Sequence, residues 1–283
     1  MADLEKFVEA ARARNARVVF PEMDDPRVAE ACDRLRAERL CQPVPLSDPA
    51  EAHVAAVLAA RDTKEALARR MVQKPLIRAA AMVGAGEAEA MVAGAASPTK
   101  DVIMAATLGI GLAEGVTIPS SFFLMLFPDG RRMVWADCAV TPYPDAAALA
   151  DIARASAATA EALLGEARVA LLSFSTGTSG QGASVEAVRD AAEATGFAGP
   201  VQADAALSPR VAALKGAGGG DANCLVFPSL DAGNIAYKLA QELAGAQALG
   251  PFLQGFRRPV CDLSRGATAE DIFAAAVITC AMG

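Results

Sequence analysis

The stretch Val169-Ala170-Leu171-Leu172-Ser173-Phe174-Ser175-Thr176-Gly177-Thr178-Ser179-Gly180-Gln181-Gly182 decides how this chain folds. Its first four residues form a continuous apolar run, the pattern of a strand buried on both faces. The next ten are small, hydroxylic or glycine-rich, and a helical pattern follows over 184–195. Strand, loop and helix in that order make one unit of a parallel sheet covered by helices. The same alternation runs outward in both directions. Strands are predicted at 17–21, 91–94, 121–127, 133–137, 168–175, 201–203, 224–227 and 252–254. Helices are predicted at 26–38, 64–83, 145–164, 184–195, 232–244 and 268–282. The fold class is therefore α/β with mostly parallel sheets, and in such folds ligands bind where strands end and helices begin.

Composition narrows the function. A chain of 283 residues can hold two lobes, and 53% hydrophobic against 21% charged residues is a globular balance. The net charge of −7 and the lack of a basic block argue against a nucleic-acid partner. An acidic protein that handles anions must concentrate cations in a pocket, which directs attention to single arginines. The six cysteines are scattered with no CxxC pair, as expected of a reduced, cytoplasmic chain without a zinc site. The only histidine, His53, lies in an alanine-rich helical segment and is expected to be a solvated surface residue. Catalysis through a Ser-His-Asp or Cys-His arrangement, or through histidine-bound metal, is not expected. The first fourteen residues carry no apolar signal run, and the longest apolar stretch, 122–127, is too short to cross a bilayer. No membrane association is expected.

Four turns carry candidate chemistry. Ser173, Ser175 and Thr176 stand in a strand-to-helix loop whose hydroxyls and N–H groups suit a phosphate, or merely cap the next helix. Asp231-Ala232-Gly233-Asn234 follows the strand at 224–227; Asp231 suits an N-cap, and Gly233 and Asn234 suit close approach of a ligand. Gly94-Ala95-Ala96-Ser97-Pro98-Thr99-Lys100 is a second anion-binding turn or a capped helix start. In Asp262-Leu263-Ser264-Arg265-Gly266-Ala267-Thr268-Ala269-Glu270-Asp271, Arg265 suits phosphate oxygens and Ser264 a developing negative charge. Asp271 suits a general base, while Thr268-x-x-Asp271 equally reads as a capping box.

Taken in order, these turns resemble the phosphate acetyltransferase (phosphotransacetylase) family, including its ethanolamine-utilisation branch. The resemblance rests on Ala16-Arg17-Val18-Val19-Phe20-Pro21, Met91-Val92-Ala93-Gly94-Ala95, Ala136-Asp137-Cys138-Ala139-Val140-Thr141-Pro142, the 169–176 run, Asp204-Ala205-Ala206, 223–228, 230–238, Gly250-Pro251 with Gln254-Gly255, and 262–266. It implies two αβα lobes with an interlobe cleft, the first formed by 1–112 plus 251–283 and the second inserted as 113–250. It implies a homodimer. It also implies reversible acetyl transfer between acetyl phosphate and CoA by direct thiolate attack in a ternary complex, as in acetate metabolism. CoA is then a co-substrate, no cofactor is held, and no metal is needed. Asp271 matches the family's base, Arg265 its phosphate-binding arginine and Ser264 the neighbour that stabilises the transition state. Arg61 matches a second family arginine across a gap. Ser97, Thr99, Lys100, Ser173, Ser175, Thr176 and Asn234 fall in its phosphate- or substrate-binding turns.

Two cations of the family pattern are missing. Met104 stands where an arginine is usual, with Lys100 one helical turn before it, and Gly177 stands in place of a lysine. These departures leave two alternatives open: transfer of another short acyl group such as butyryl or propionyl, or a catalytically weakened CoA-binding module.

Overall fold

The computed structural model describes residues 5–282. The chain divides into two compact units, one running to Val116 and resuming at Gly250, the other Thr117–Leu249.

The first unit opens with α1 (Glu5–Arg14), β1 (Arg17–Val19), α2 (Pro26–Ala37), β2 (Gln42–Val44), α3 (Glu51–Ala60), α4 (Glu65–Met71), α5 (Pro75–Gly84), β3 (Ala90–Ala93) and α6 (Thr99–Gly109). The second unit contains β4 (Ser120–Leu126), β5 (Arg132–Ala136), α7 (Ala146–Leu164), β6 (Val169–Leu172), α8 (Ala183–Thr195), β7 (Ala198–Val201), α9 (Ala203–Leu207), α10 (Pro209–Leu214), β8 (Cys224–Val226) and α11 (Leu230–Ala244). The chain returns through β9 (Gln247–Gln254), β10 (Val260–Asp262) and α12 (Ala269–Met282).

In the first unit the strand order is β2-β1-β3-β10-β9. The β1–β2, β1–β3 and β3–β10 pairs are parallel and β9–β10 is antiparallel. Helices α3, α5 and α6 pack together, as do α1, α2 and α12. In the second unit the order is β4-β5-β8-β6-β7, parallel except for the β4–β5 hairpin. Alternate residues Phe123, Met125, Met133, Trp135, Ala170, Leu172 and Leu225 form one apolar face. Ala232, Ala236, Tyr237 and Ala240 of α11 pack on that cluster with Val211 of α10. Helices α7 and α8 pack on one another and on strands β5, β6, β7 and β8. Each unit is thus an α/β layer built from the strand–helix alternation.

The differences from the sequence reading have local causes. The helix expected over 64–83 is two helices, because Pro75 starts α5 at its first position. Ala203, expected in a strand, opens α9. Strands β2 and β10, three residues each, were not expected. His53 is not solvated: it is fully buried. Its Nδ1 accepts the Ala50 N–H at 3.1 Å, which leaves Nε2–H to donate to Glu87 at 2.9 Å. The ring closes the first turn of α3, a structural use in place of the surface role expected.

Candidate active site

At the first unit's pole, three turns leave the C-terminal ends of parallel strands β1, β3 and β10. Glu22, after β1, accepts the backbone N–H groups of Gly94 at 2.9 Å, Ala95 at 2.8 Å and Ala96 at 3.2 Å. Arg27, in the first turn of α2, draws in all three turns. Its Nη1 donates to the carbonyls of Arg265 at 2.9 Å and Ala267 at 2.7 Å. Its Nη2 donates to the Ala95 carbonyl at 3.0 Å and to Asp25 at 2.7 Å. The Arg27 guanidinium holds the Asp25 carboxyl below its ordinary range. Neither Glu22 nor Arg27 was singled out from the sequence. The acid-rich turn after the first strand, ending Asp25-Pro26-Arg27, was the available signal.

Asp262 ends β10 and is 1% exposed. Neither of its carboxyl oxygens has a hydrogen-bond partner of normal geometry among the described residues. Burial pushes its pKa up to about 6, with Glu22 adding to the rise and the Thr99 side chain opposing it. The carboxyl lies against Gly94, where a Cβ would stand 2.6 Å from Asp262 Oδ1 and from the Leu263 nitrogen. Gly94 also has φ of +108°, so this turn requires glycine on both counts.

Ser264 and Arg265 follow and are exposed. The Ser264 hydroxyl accepts the Gly266 N–H at 3.2 Å, and the Arg265 guanidinium has no partner among the described residues. Thr268 and Asp271 form the reciprocal capping box: the Asp271 N–H donates to Thr268 Oγ1 at 3.2 Å. Asp271 Oδ2 in turn accepts the Thr268 N–H at 2.9 Å and hydroxyl at 2.8 Å. Thr99 opens α6 with Lys100 exposed beside it, and Ser97 lies in the turn from β3. Ser97, Thr99, Lys100, Ser264, Arg265 and Asp271 thus share one pole of this unit.

Arg61 does not. It caps the C-terminal end of α3 and lines a recess of ≈ 660 Å³ with Thr107, Leu112, Glu114, Val116 and Arg257. Thr107 stands eight residues along α6 from Thr99, a rise of about 12 Å. One face of α6 carries exposed Lys100 and Met104 and half-buried Thr107 between the two places, at i, i+4 and i+7.

In the second unit, the C-terminal ends of β5, β6, β7 and β8 carry a second group. Asp137 is buried and is a hub that the sequence reading left without a role. It accepts the Ser121 N–H and hydroxyl, and the N–H groups of Ala139 at 3.0 Å, Val140 at 3.2 Å and Thr141 at 2.8 Å. Asn234 Nδ2 donates to the Cys138 carbonyl at 3.2 Å. Gly233 lets α11 approach there, since a Cβ would stand 2.4 Å from the Asp137 carbonyl oxygen. Ser173 Oγ accepts the Ser175 N–H, and Ser175 Oγ accepts the Gly180 N–H at 2.8 Å and pairs with Ser179. Thr176 Oγ1 accepts the Gln202 N–H at 3.1 Å and donates to Gln202 Oε1. These hydroxyls shape their own loop first. Burial raises the thiols of Cys32 and Cys224 to about 12 and also pushes Cys138 up, so these cysteines are held as neutral packing groups.

A family model described as Phosphate acetyl/butaryl transferase matches residues 52–280. A phosphate acetyltransferase of Paracoccus denitrificans is 39% identical, over 99% of this chain and 98% of its own length. Among solved structures, a phosphotransacetylase from Streptococcus pyogenes aligns with a TM-score of 0.92 at 34% identity, covering 99% of this chain and 97% of that one. The EutD phosphotransacetylase from Staphylococcus aureus gives 0.88 at 33% identity, covering 98% of each.

Proposed function

Because the chain belongs to the phosphate acetyl/butaryl transferase family, and is thereby an acyltransferase, we propose that it catalyses acetyl-CoA + phosphate = CoA + acetyl phosphate. The observation that carries this reading is the 39% identity to a phosphate acetyltransferase along 99% of the chain. In the direction of thioester synthesis, the CoA sulfur bonds to the acetyl carbonyl carbon, the C–O bond to phosphate breaks, and the thiol proton leaves to a base. A thiol of pKa about 8.5 is mostly protonated at neutral pH, so a base near the sulfur raises the reactive fraction. Asp271 takes that role in this reading. The unpaired guanidinium of Arg265 forks onto the phosphate oxygens, where positive charge stabilises the leaving group. The Ser264 hydroxyl donates to the carbonyl oxygen as charge develops on it.

Ser97, Thr99 and Lys100 serve as phosphate contacts at the same pole. The distance to Arg61 suits the far end of an extended co-substrate: CoA carries phosphates remote from its thiol, and Lys100, Met104 and Thr107 line the way along α6. Within the second unit, Ser173, Ser175, Thr176 and Asn234 are read as substrate contacts. CoA is a co-substrate and no bound cofactor is invoked. No helix among the described residues is long and apolar enough to cross a membrane. The six free, buried cysteines support a reducing, cytoplasmic location, and a homodimer completes the reading.

The test is thioester formation from acetyl phosphate and CoA by the purified chain. Turnover is expected, and Arg265→Ala should lower kcat/KM by at least about 100-fold. No acetyl-CoA at any substrate concentration would refute the reading; CoA binding by calorimetry without turnover would then identify a binding module. A longer acyl group is the second reading, favoured by Met104, which is 44% exposed on the α6 face that carries Lys100. Specificity constants for acetyl, propionyl and butyryl phosphates decide it, and an acetyl optimum removes it.

A further inference from the structure

The turn from β1 to α2 reaches into both neighbouring turns of the first unit's pole, with an acid into one and an arginine into the other. Glu22 fills the turn after β3. Its carboxylate accepts three successive N–H groups, from Gly94, Ala95 and Ala96. The anion held by that backbone is therefore a side chain of this chain. While Glu22 stays there, those donors are closed to a substrate phosphate, which must be met by side chains instead. Arg265 is exposed and its guanidinium has no partner among the described residues, so it is free to do this.

Arg27 is the opposite case. A guanidinium has five N–H donors, and here all five are used. Nε donates to Asp25 Oδ1 at 3.0 Å. Nη1 donates to the carbonyls of Arg265 at 2.9 Å and Ala267 at 2.7 Å. Nη2 donates to Asp25 Oδ2 at 2.7 Å and to the Ala95 carbonyl at 3.0 Å. No donor is left for a ligand, so Arg27 cannot take phosphate while it keeps these bonds. What it holds is the main chain of the residue whose side chain is free. The Ala267 N–H also donates to the Ser264 carbonyl at 2.9 Å, so the Nη1 contacts seize a closed turn and fix it as one body. Asp25 secures the guanidinium in turn. Its Oδ1 accepts the Arg27 N–H at 2.9 Å as the N-cap of α2. Position thus passes from the start of α2, through Arg27, to the backbone that carries Ser264 and Arg265.

We propose that Arg27 is a positioning residue for the transfer reaction: it sets the place of the Arg265 guanidinium and the Ser264 hydroxyl without touching substrate, and Asp25 holds it to that task. The proposal rests on the acyl-transfer reading given above. Lysine cannot replace it. A single ammonium has three donors and no planar fork, and cannot span two carbonyls of one turn, the Ala95 carbonyl and Asp25 together.

The test is a double-mutant cycle on kcat/KM for acetyl phosphate, with Arg27→Lys made in the parent and in Arg265→Ala. In the parent the substitution should cost about 30-fold or more, because a misplacement of about 1 Å at a reacting group costs rate on that scale. In the Arg265→Ala chain it should cost less than about threefold, because the group it positions is gone. CoA affinity by calorimetry should stay within about twofold of the parent. Losses that add in full would overturn the proposal, since Arg27 would then act on its own or through the fold at large. So would a fall in CoA affinity as large as the fall in kcat/KM, which general loosening would give. If Arg27→Lys fails to fold, Asp25→Asn keeps an N-cap oxygen and removes the charge that holds the guanidinium. It should cost about tenfold with Arg265 present and less than about threefold without it, and additive losses there overturn the proposal equally. A parent that makes no acetyl-CoA would sink the acyl-transfer reading by itself. Binding of inorganic phosphate then decides the positioning role: Arg27→Lys or Asp25→Asn should weaken it about tenfold, and unchanged affinity, or no phosphate binding by the parent, would overturn it.

Discussion

Replacing Asp262 with asparagine tests the electrostatics of the first unit's pole. The carboxyl is almost wholly enclosed, has no hydrogen-bond partner of normal geometry among the described residues, and is held up to about 6 from an ordinary 3.8 by burial, with the Thr99 side chain opposing the rise and the charge of Glu22 adding to it. Between those two values the folded chain holds the proton that the unfolded chain has released. Stability therefore falls as pH rises through that window, and the full cost is present by neutral pH. A rise of that size corresponds to about 3 kcal/mol. Asparagine keeps the shape and cannot ionise. Unfolding by urea, run on parent and Asp262→Asn at several pH values between about 4 and about 8, gives the difference in stability at each. Near the low end the two should differ only by the cost of burying an amide. Toward the high end the difference should move in the variant's favour by up to about 3 kcal/mol and then level off. A difference that stays flat across the range would refute the reasoning, because it would mean that Asp262 meets no more resistance to ionising in the fold than in the open chain.

Other outcomes follow from the same pole. Asp271→Asn keeps an oxygen that can accept the Thr268 N–H, so stability should change by less than about 1 kcal/mol while kcat drops by about 100-fold or more; unchanged turnover would remove Asp271 as the base. Gly94→Ala places a Cβ 2.6 Å from Asp262 Oδ1 and the Leu263 nitrogen at a φ of +108°. It should destabilise by about 3 kcal/mol or more in thermal unfolding. Gly86→Ala, also at positive φ but with open space around its Cβ, should cost only about 1 kcal/mol, so similar losses at both sites would contradict the steric argument.

The strands that carry the fold were legible because burial on both faces leaves an unbroken apolar run. Val169-Ala170-Leu171-Leu172 is fully buried, as its composition requires. Strands β2 and β10 were not: Pro43 sits inside the Gln42-Pro43-Val44 strand, and Val260-Cys261-Asp262 ends on an acid, so neither shows the apolar run that marked β1 and β8 at the same length. The antiparallel pairing of β4 and β5 is not encoded in composition, because these strands are as apolar as the parallel ones and their register is set by the hairpin at Asp129-Gly130. The site divided in the same way. Ser264, Arg265 and Asp271 are neighbours in sequence and remain neighbours in space. Glu22 and Arg27 tie together turns about 70 and 240 positions away in the chain, and no local pattern announces such a partner. Hydroxyl-rich composition marked the loop at Ser173, but whether a hydroxyl faces its own backbone or a ligand depends on loop geometry that composition does not encode. His53 shows the converse: alanine-rich surroundings suggested a surface helix, whereas small neighbours are what allow a ring to be enclosed.

The capping box and the proposed base at Asp271 are one arrangement seen from its two oxygens. Oδ2 accepts both the N–H and the hydroxyl of Thr268, while Oδ1 has no hydrogen-bond partner among the described residues. The cap thus fixes the carboxylate's orientation at the N-terminus of α12 and leaves one oxygen to receive a proton. Orientation of a reacting group contributes to rate on its own, so the two roles are coupled through Thr268. Thr268→Val removes the hydroxyl that Asp271 receives and offers its N–H to, and Thr268→Ser keeps it. The valine variant should lose about 1 kcal/mol of stability and also about tenfold in kcat, with CoA affinity unchanged, and the serine variant should recover both. If capping and proton transfer were independent, valine would lower stability alone. A stability loss with parental kcat would therefore refute the coupling through Thr268, and Asp271→Asn alone would then decide whether Asp271 is the base.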